Sequence, residues 1–556
     1  MGVKQWCIVR RAHGHGGMVE ETIREERPAV SGNVNERSSS SLRRSEWLGA
    51  LGAHWRAILA LYVVTVFLLA ALMPLDDIDL PMHLAIGGWI AQHHAVPFTE
   101  PFAWTRMGAP YFAYSWLMQL GSYGLLALLG PLGLHLLYAA IACASVLAIA
   151  AMGRAEGWRP WPTILLAAIH FVVLTRVTPS LRPQVALYAL VPLAWAAASF
   201  LRAGNERATR FALGALFVSS ALAANSHILF ALTGAPVFVL VVDPPARRRV
   251  ALFAVLAVVA GWLCTPYALA WPDVFRLNFA PNPLFRFPSP ISEYQPGFYA
   301  SPLIGAFLAL TPWFASGSPL LGSDGARFSP ATRRWLALAA LWLVGLIAFA
   351  RLEKAITIWW LVSLPLAGAT LSCIPDPRSL LRARARVVTL AVIGLLLCAE
   401  HAVMGAALRS HEGTVATRTL PGRWALAVEP LAAWLHSNAR PVDRARLYTT
   451  FNFGSYLTWR LPEYSASIDS RTIFPDSVAR PEAYVTRQLA DSALGPWRSA
   501  DVAIVPLDYA VASALDRAPG WVRLARPDSG SAARIRLGLW ARRAWWDSVK
   551  TTGSGL

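Results

Sequence analysis

Apolar residues run through most of this chain in long unbroken stretches, separated by short polar or basic segments, rather than alternating at helical or strand period. A window of about 19 residues, the length that reads a bilayer-spanning helix, predicts eleven spans at 56–74, 131–152, 161–175, 183–201, 209–224, 227–242, 249–264, 301–316, 335–350, 355–373 and 387–407. Several fall short of the ~20 residues that an upright helix needs. Residues 114–129 are also apolar, but Gln119, Gly121, Ser122 and Tyr123 interrupt them and Gly130-Pro131 ends them. They are expected to lie in the membrane interface as part of one long external loop, 75–130, anchored by Trp104, Tyr111, Phe112, Tyr114 and Trp116.

The pattern changes at both ends. Residues 1–45 are polar and lack the apolar core of a signal peptide, so a disordered cytoplasmic tail is expected before a transmembrane domain at 46–410. Across 411–546 the long apolar runs give way to short strand-like segments, Ala445 to Tyr448, Ser465 to Ile468 and Val502 to Val505, set between helical and turn segments. This predicts a soluble α/β domain of about 135 residues, large enough for its own core, with a tail at 547–556. The expected fold class is therefore an α-helical polytopic membrane protein of about eleven spans with a C-terminal α/β domain.

Composition agrees: 55% of residues are hydrophobic and 24 of 556 are Trp, more apolar surface than a soluble core of this size uses. The net charge of +18 would point to nucleic acid in a soluble protein, so its placement matters. With the N-terminus inside, the internal loops hold 15 Arg and the external loops 7 Arg or Lys, as the positive-inside rule requires. The basic charge thus reads as orientation, with no nucleic-acid partner and an extracytoplasmic C-terminal domain. The five cysteines form no CxxC pair or disulfide framework, and the absence of a Walker loop argues against work driven by nucleotide hydrolysis.

Directly after the first span stands Asp76-Asp77-Ile78-Asp79-Leu80-Pro81-Met82-His83-Leu84. Ionisable groups at the mouth of a span are costly without a partner, so this cluster is the leading candidate site. On the same topology Arg176, Arg182, His227, Glu293, Arg351 and Lys354 fall on the outer side too, from separate parts of the sequence.

The first loop, Asp77-Ile78-Asp79-Leu80-Pro81-Met82-His83-Leu84 with Gly87-Gly88-Trp89, Val96-Pro97 and Pro101-Phe102-Ala103-Trp104-Thr105, resembles the D-x-D-x-W-W-H-L…G…P…D-P-F-S-x-T pattern of bacterial GT-C-like multispan proteins. These are relatives of glycosyltransferases that use polyprenyl-phosphate sugars. Arg182-Pro183-Gln184, Asn225-Ser226-His227, Pro266-Tyr267, Ile291-Ser292-Glu293-Tyr294 and Ala350-Arg351 follow in order. Near the C-terminus, Phe451-Asn452-Phe453-Gly454-Ser455-Tyr456-Leu457-Thr458-Trp459-Arg460-Leu461-Pro462 and Ile468-Asp469-Ser470-Arg471-Thr472 resemble N-W-G-G-Y-L-x-W-R-L-P and I-D-G-R-T. The resemblance covers most of 56–480. Pro81-Met82 stand in place of the Trp pair, Glu100 where Asp is common, and Ser470 in place of Gly.

The resemblance implies transfer of a sugar from a polyprenyl-phosphate-linked donor to a cell-envelope acceptor at the outer face of a bacterial inner membrane. Asp77 or Asp79 is then the base, with His83 and Glu293 beside it in the catalytic set. If a divalent cation such as Mg or Mn is used, Asp79 and Glu293 are its ligands. Arg182, Arg351 and Lys354 are candidates for the donor phosphate, and His227 for a substrate contact or an interhelical one. Asp469 and Arg471 read more readily as a structural pair than as an acceptor contact. Two other function classes stay open: a catalytically silent GT-C-like scaffold that binds an envelope partner, and a transporter, whose site would sit near the membrane midplane.

Overall fold

Helix α1 (Trp55–Ala71) opens the part of the chain that the computed structural model describes: residues 55–73, 75, 77–178, 180–203, 206–243, 248–279, 330–352, 355–372, 422–441, 443–471, 473–474, 496–524 and 536–550. The expected tail at 1–45, the spans at 301–316 and 387–407, and Asp76, Glu293 and Lys354 lie outside these residues.

The first loop folds as a helical hairpin. Helix α2 (Leu80–His93) starts with Pro81 in its first turn, where the missing N–H is no loss, and ends at His94 in the left-handed region. Helix α3 (Trp116–Leu129) runs to Gly130, and Pro131 immediately starts α4 (Pro131–Ala155). The Gly-Pro break thus falls between two helices, and α3, at 14 residues, packs along α2.

The helical region continues with α5 (Pro160–Val177), α6 (Leu187–Ala203), α7 (Glu206–Ser226), α8 (Ala235–Val242), α9 (Arg248–Leu263), α10 (Trp271–Phe279), α11 (Pro330–Arg351) and α12 (Ile356–Ser372). Each expected span within the described residues meets one of these helices or α1, but the 183–201 span opens with a 3-10 turn at Pro183–Ala186 and the first half of the 227–242 span is a 3-10 segment at Ile228–Gly234. Among the described residues three stretches are long and apolar enough to cross a membrane on their own: Pro131–Ala155, Pro183–Arg202 and Arg333–Arg351. Arg248–Leu263 and Ala268–Phe279 pass the same test together, but bend by 96° between them. The remaining apolar helices are shorter, so eleven spans remains a reading of the sequence. Leu72, Phe211, Leu252 and Leu269 project from the bundle, while Tyr138, Tyr188, Trp359 and Trp360 fill its interior.

Beyond the bundle, α13 (Gly422–Asn438) leads into β1 (Ala445–Thr449), α14 (Phe451–Arg460), β2 (Tyr464–Ala466), β3 (Val502–Pro506), α15 (Ala510–Arg517), β4 (Trp521–Arg523), β5 (Leu537–Arg542) and α16 (Arg543–Val549). The strands form one sheet in the order β2-β1-β3-β5-β4. β2, β1 and β3 are parallel, with Leu447 opposite both Ala466 and Val502, and β5 turns the sheet antiparallel. Every residue of β3 is buried, as a strand covered on both faces requires. Val428, Leu435, Leu457 and Trp546 cover one face, and Trp497, Val511 and Leu515 the other. The segments read at 445–448 and 502–505 are strands, while the one read at 465–468 is strand only as far as Ala466.

Candidate functional site

The site begins with a turn. Asp77 accepts the Asp79 N–H through Oδ1 at 2.8 Å, which fixes the two carboxylates at the entrance to α2. The other Asp77 oxygen accepts from the Ser180 hydroxyl and, at 2.5 Å, from Arg182 Nε. Burial alone would raise the Asp77 carboxyl. The Arg182 guanidinium and the donors from Ser180 and Asp79 overcome it, holding Asp77 below the usual carboxylate range. Arg182 also reaches toward Asp79, with Nη2 at 3.4 Å from Oδ2. One guanidinium therefore serves two carboxylates, one side chain 4% exposed and the other 25%.

Asp79 and Arg182 open on a cavity of about 120 Å³. Met82, His83 and Ile86 of α2 line it, with Gln119 of α3, the Tyr111–Ser115 segment, Pro183, Gln184, His227, Asn278, and Ser470, Arg471 and Ile473 from beyond the sheet. His83 is placed by α2 one turn from Asp79, whose carbonyl accepts the His83 N–H. His227 serves structure as well as the cavity: its Nδ1 accepts the Leu229 N–H at 3.2 Å, and its ring meets Tyr114 edge-on.

The wall Tyr111–Ser115 is held from behind. Glu100 accepts the N–H groups of Phe102 and Ala103 at 2.8 and 3.0 Å. Its backbone pairs with Ala109. Arg471 then spans Glu100 and Asp469, both fully buried, with contacts of 2.6–2.8 Å. The guanidinium also lies over the Tyr111 and Phe102 rings, 4.7 and 5.4 Å from their centres. Desolvation works against its charge, but Asp469 and Glu100 keep Arg471 protonated well beyond the ordinary range. Burial raises the Tyr111 phenol, so the ring stays neutral.

The two C-terminal motifs fold onto each other to bring Arg471 there. Gly454 sits where any Cβ would run into the Ile468 carbonyl, so α14 rests directly on the strand exit that carries Asp469. Ser455 Oγ accepts the Ser470 N–H at 3.0 Å and bonds its hydroxyl at 2.8 Å. The first loop is laid along edge strand β2. Thr105 donates to the Ser467 carbonyl at 2.5 Å and Arg106 to that of Ile473 at 2.6 Å, while Ser465 donates to the Phe102 carbonyl.

The structure thus brings together Asp77, Asp79, His83, Arg182 and His227. Arg351, exposed in the last turn of α11, does not line the cavity. Among the described residues no group of three His, Cys, Asp or Glu side chains is placed to hold a metal, and Asp79 faces Arg182; the expected metal pair of Asp79 and Glu293 has one member, Glu293, outside these residues. Ser180, Gln119, Asn278 and the cavity-facing role of Arg471 were not read from the sequence. Gly87 was the available signal for Gln119, because a glycine on the buried face of α2 marks a close helix crossing.

No family model matches this sequence, and no curated protein sequence matches it. Solved structures do match. ArnT from Cupriavidus metallidurans bound to undecaprenyl phosphate aligns over 89% of this chain and 99% of its own, at 16% identity and a TM-score of 0.50. Its apo form gives a TM-score of 0.52 over the same shares. The Archaeoglobus fulgidus oligosaccharyltransferase in the apo form aligns over 80% of this chain and 70% of its own, at 10% identity and 0.51. The chain has a GT-C-like fold. At these identities the likeness is one of architecture, and it extends through the C-terminal sheet domain as well as the GT-C-like helical region.

Proposed function

We propose that this protein is a membrane glycosyltransferase that moves a sugar from a polyprenyl-phosphate-linked donor to a cell-envelope acceptor at the outer face of a bacterial inner membrane. The observation that carries the reading is the cavity itself, which a partly exposed carboxylate, Asp79, and a cation, Arg182, both line. The similar ArnT structure, which holds undecaprenyl phosphate, supports the lipid class of the donor.

In this mechanism Asp79 takes the proton from an acceptor hydroxyl as its oxygen attacks the anomeric carbon. The bond from that carbon to the phosphate oxygen breaks, and its electron pair leaves with the lipid phosphate. Arg182 stabilises the charge that develops there. Asp77 and Ser180 aim Arg182, so Asp77 acts through the cation rather than on the acceptor. His83 stands beside Asp79 as a hydrogen-bonding partner for the substrate. The N-terminus is cytoplasmic and the sheet domain extracytoplasmic in this reading.

The test is direct. Protein purified from membranes should carry a polyprenyl phosphate or its glycosylated form, seen by native mass spectrometry, and Arg182→Ala should lose it. If wild-type protein carries no such lipid and binds no added undecaprenyl phosphate, the transferase reading fails and a scaffold role replaces it.

A further inference from the structure

Most polar side chains that line the cavity already have partners. The Gln119 amide lies 3.1 Å from the His83 ring, Asn278 Nδ2 donates to the Val274 carbonyl at 2.8 Å, and Ser470 is paired with Ser455 at 2.8 Å. Two neutral ones stand apart. Ser115 directly precedes α3, where a serine hydroxyl ordinarily accepts a backbone N–H of the first turn, yet it makes no capping bond. Gln184 lies in the 3-10 turn Pro183–Ala186, two residues beyond Arg182, and its backbone carbonyl is taken by the Leu187 N–H. Ser115 is 3% exposed and Gln184 6%, and among the described residues neither side chain makes a hydrogen bond. A buried hydroxyl and a buried amide without partners are costly, and folds keep few of them except to meet a ligand or water. Both line the same cavity as Asp79 and Arg182. Their chemistry narrows what they meet. A phosphate only accepts hydrogen bonds and has Arg182 in the proposed reaction, whereas an amide and a hydroxyl each donate and accept, as the hydroxyls of a sugar do.

We propose that Gln184 and Ser115 form the sugar-binding side of the cavity: they hydrogen-bond hydroxyl groups of the transferred sugar and so set which sugar is used. The assignment rests on the transferase reading, with Arg182 on the phosphate and these two side chains on the sugar attached to it. Selectivity comes from the cost of leaving them unmet. A sugar without the matching hydroxyl leaves a buried amide or hydroxyl unpaired, and is rejected for that reason.

The experiment is a competition read by native mass spectrometry on the full chain in detergent, offered undecaprenyl phosphate and the same lipid carrying glucose, galactose, mannose or N-acetylglucosamine. Wild type should take at least one glycosylated lipid ~10-fold more readily than the bare lipid, the scale of one well-placed hydrogen bond. Gln184→Leu and Ser115→Ala should each reduce that preference and the double variant should abolish it, with undecaprenyl phosphate still bound. Both variants should melt no lower than wild type, because neither loses a protein partner. A fall in melting temperature, a preference that survives the double substitution, or an equal loss of the bare lipid overturns the proposal. So does a wild type that binds the bare lipid but favours no sugar, since Ser115 and Gln184 then face only water. A wild type that binds none of these lipids overturns the transferase reading and the sugar assignment with it, and the missing bare lipid tells that result from the others.

Discussion

Two arginines in this protein each face two carboxylates, and the sets behave as different objects. Around Arg471, Glu100 and Asp469 are wholly buried and all contacts are close. Around Arg182, Asp77 is buried and tightly bound, while Asp79 is a quarter exposed and stands off at 3.4 Å. The charge count is the same. What differs is whether one carboxylate keeps access to the cavity. A set closed on itself joins two parts of a fold, whereas one with a partly exposed carboxylate lining a cavity can exchange a proton with something that enters.

The largest expected effect tests the closed set. Arg471→Met leaves two buried carboxylates without their cation, and losing one side of a buried pair costs about 3–5 kcal/mol. Thermal or chemical unfolding in detergent should show a loss on that scale and a clearly smaller one for Arg182→Met; equal losses would erase the distinction. Next comes chemistry at the open set. Asp79→Asn should leave the protein folded and membrane-inserted yet lower transfer ~100-fold, the scale of general-base loss. Asp77→Asn should act more weakly, roughly 10-fold, and mainly through weaker binding of undecaprenyl phosphate, since it releases Arg182 from its anchor. If Asp77→Asn proves the more damaging for transfer with lipid binding intact, the roles of the two aspartates are reversed.

Acidity gives a subtler test. The folded-state pKa of Asp77 lies below its unfolded value. Its contribution to stability is therefore complete above the unfolded value, about 3.9, and is lost as pH falls through the lower folded value. The difference in stability between wild type and Asp77→Asn should stay level from pH 5 to 8 and shrink only below about pH 4. A difference that changes near neutrality would mean that Asp77 is not held as described. The smallest effect belongs to an exposed pair. Lys550 and Asp547 are 2.9 Å apart but about half exposed, and Lys550→Ala should cost no more than ~0.5 kcal/mol.

Much of this was legible in the sequence where the signal is local. The apolar runs within the described residues, the Gly130-Pro131 break and the short strands at 445–448 and 502–505 each depend on neighbouring residues; those runs are helical, the break lies between two helices and both strands form. The ordered motifs also carried Asp77, Asp79, His83, Arg182 and His227 to one place. Pairings between distant residues left no comparable mark. Ser180 is 103 residues from the Asp77 it serves, and Arg471 is 371 residues from Glu100. Hydropathy reports the depth of a residue, not its position around a bundle. That is why Arg351 was placed on the same side as Asp79 and yet does not line the cavity.

The contact between Thr105 and the Ser467 carbonyl joins residues 362 positions apart. A ribosome adding ~5–20 residues per second takes roughly 20–70 seconds to cover that distance. For that interval the first loop has left the ribosome without the strand against which it rests, and the Tyr111–Ser115 wall lacks its backing. Competence therefore arrives late in synthesis, set by the last third of the chain rather than by insertion of the first helices. A nascent chain arrested before residue 464 should expose the 100–106 segment to protease, and one released after residue 550 should not.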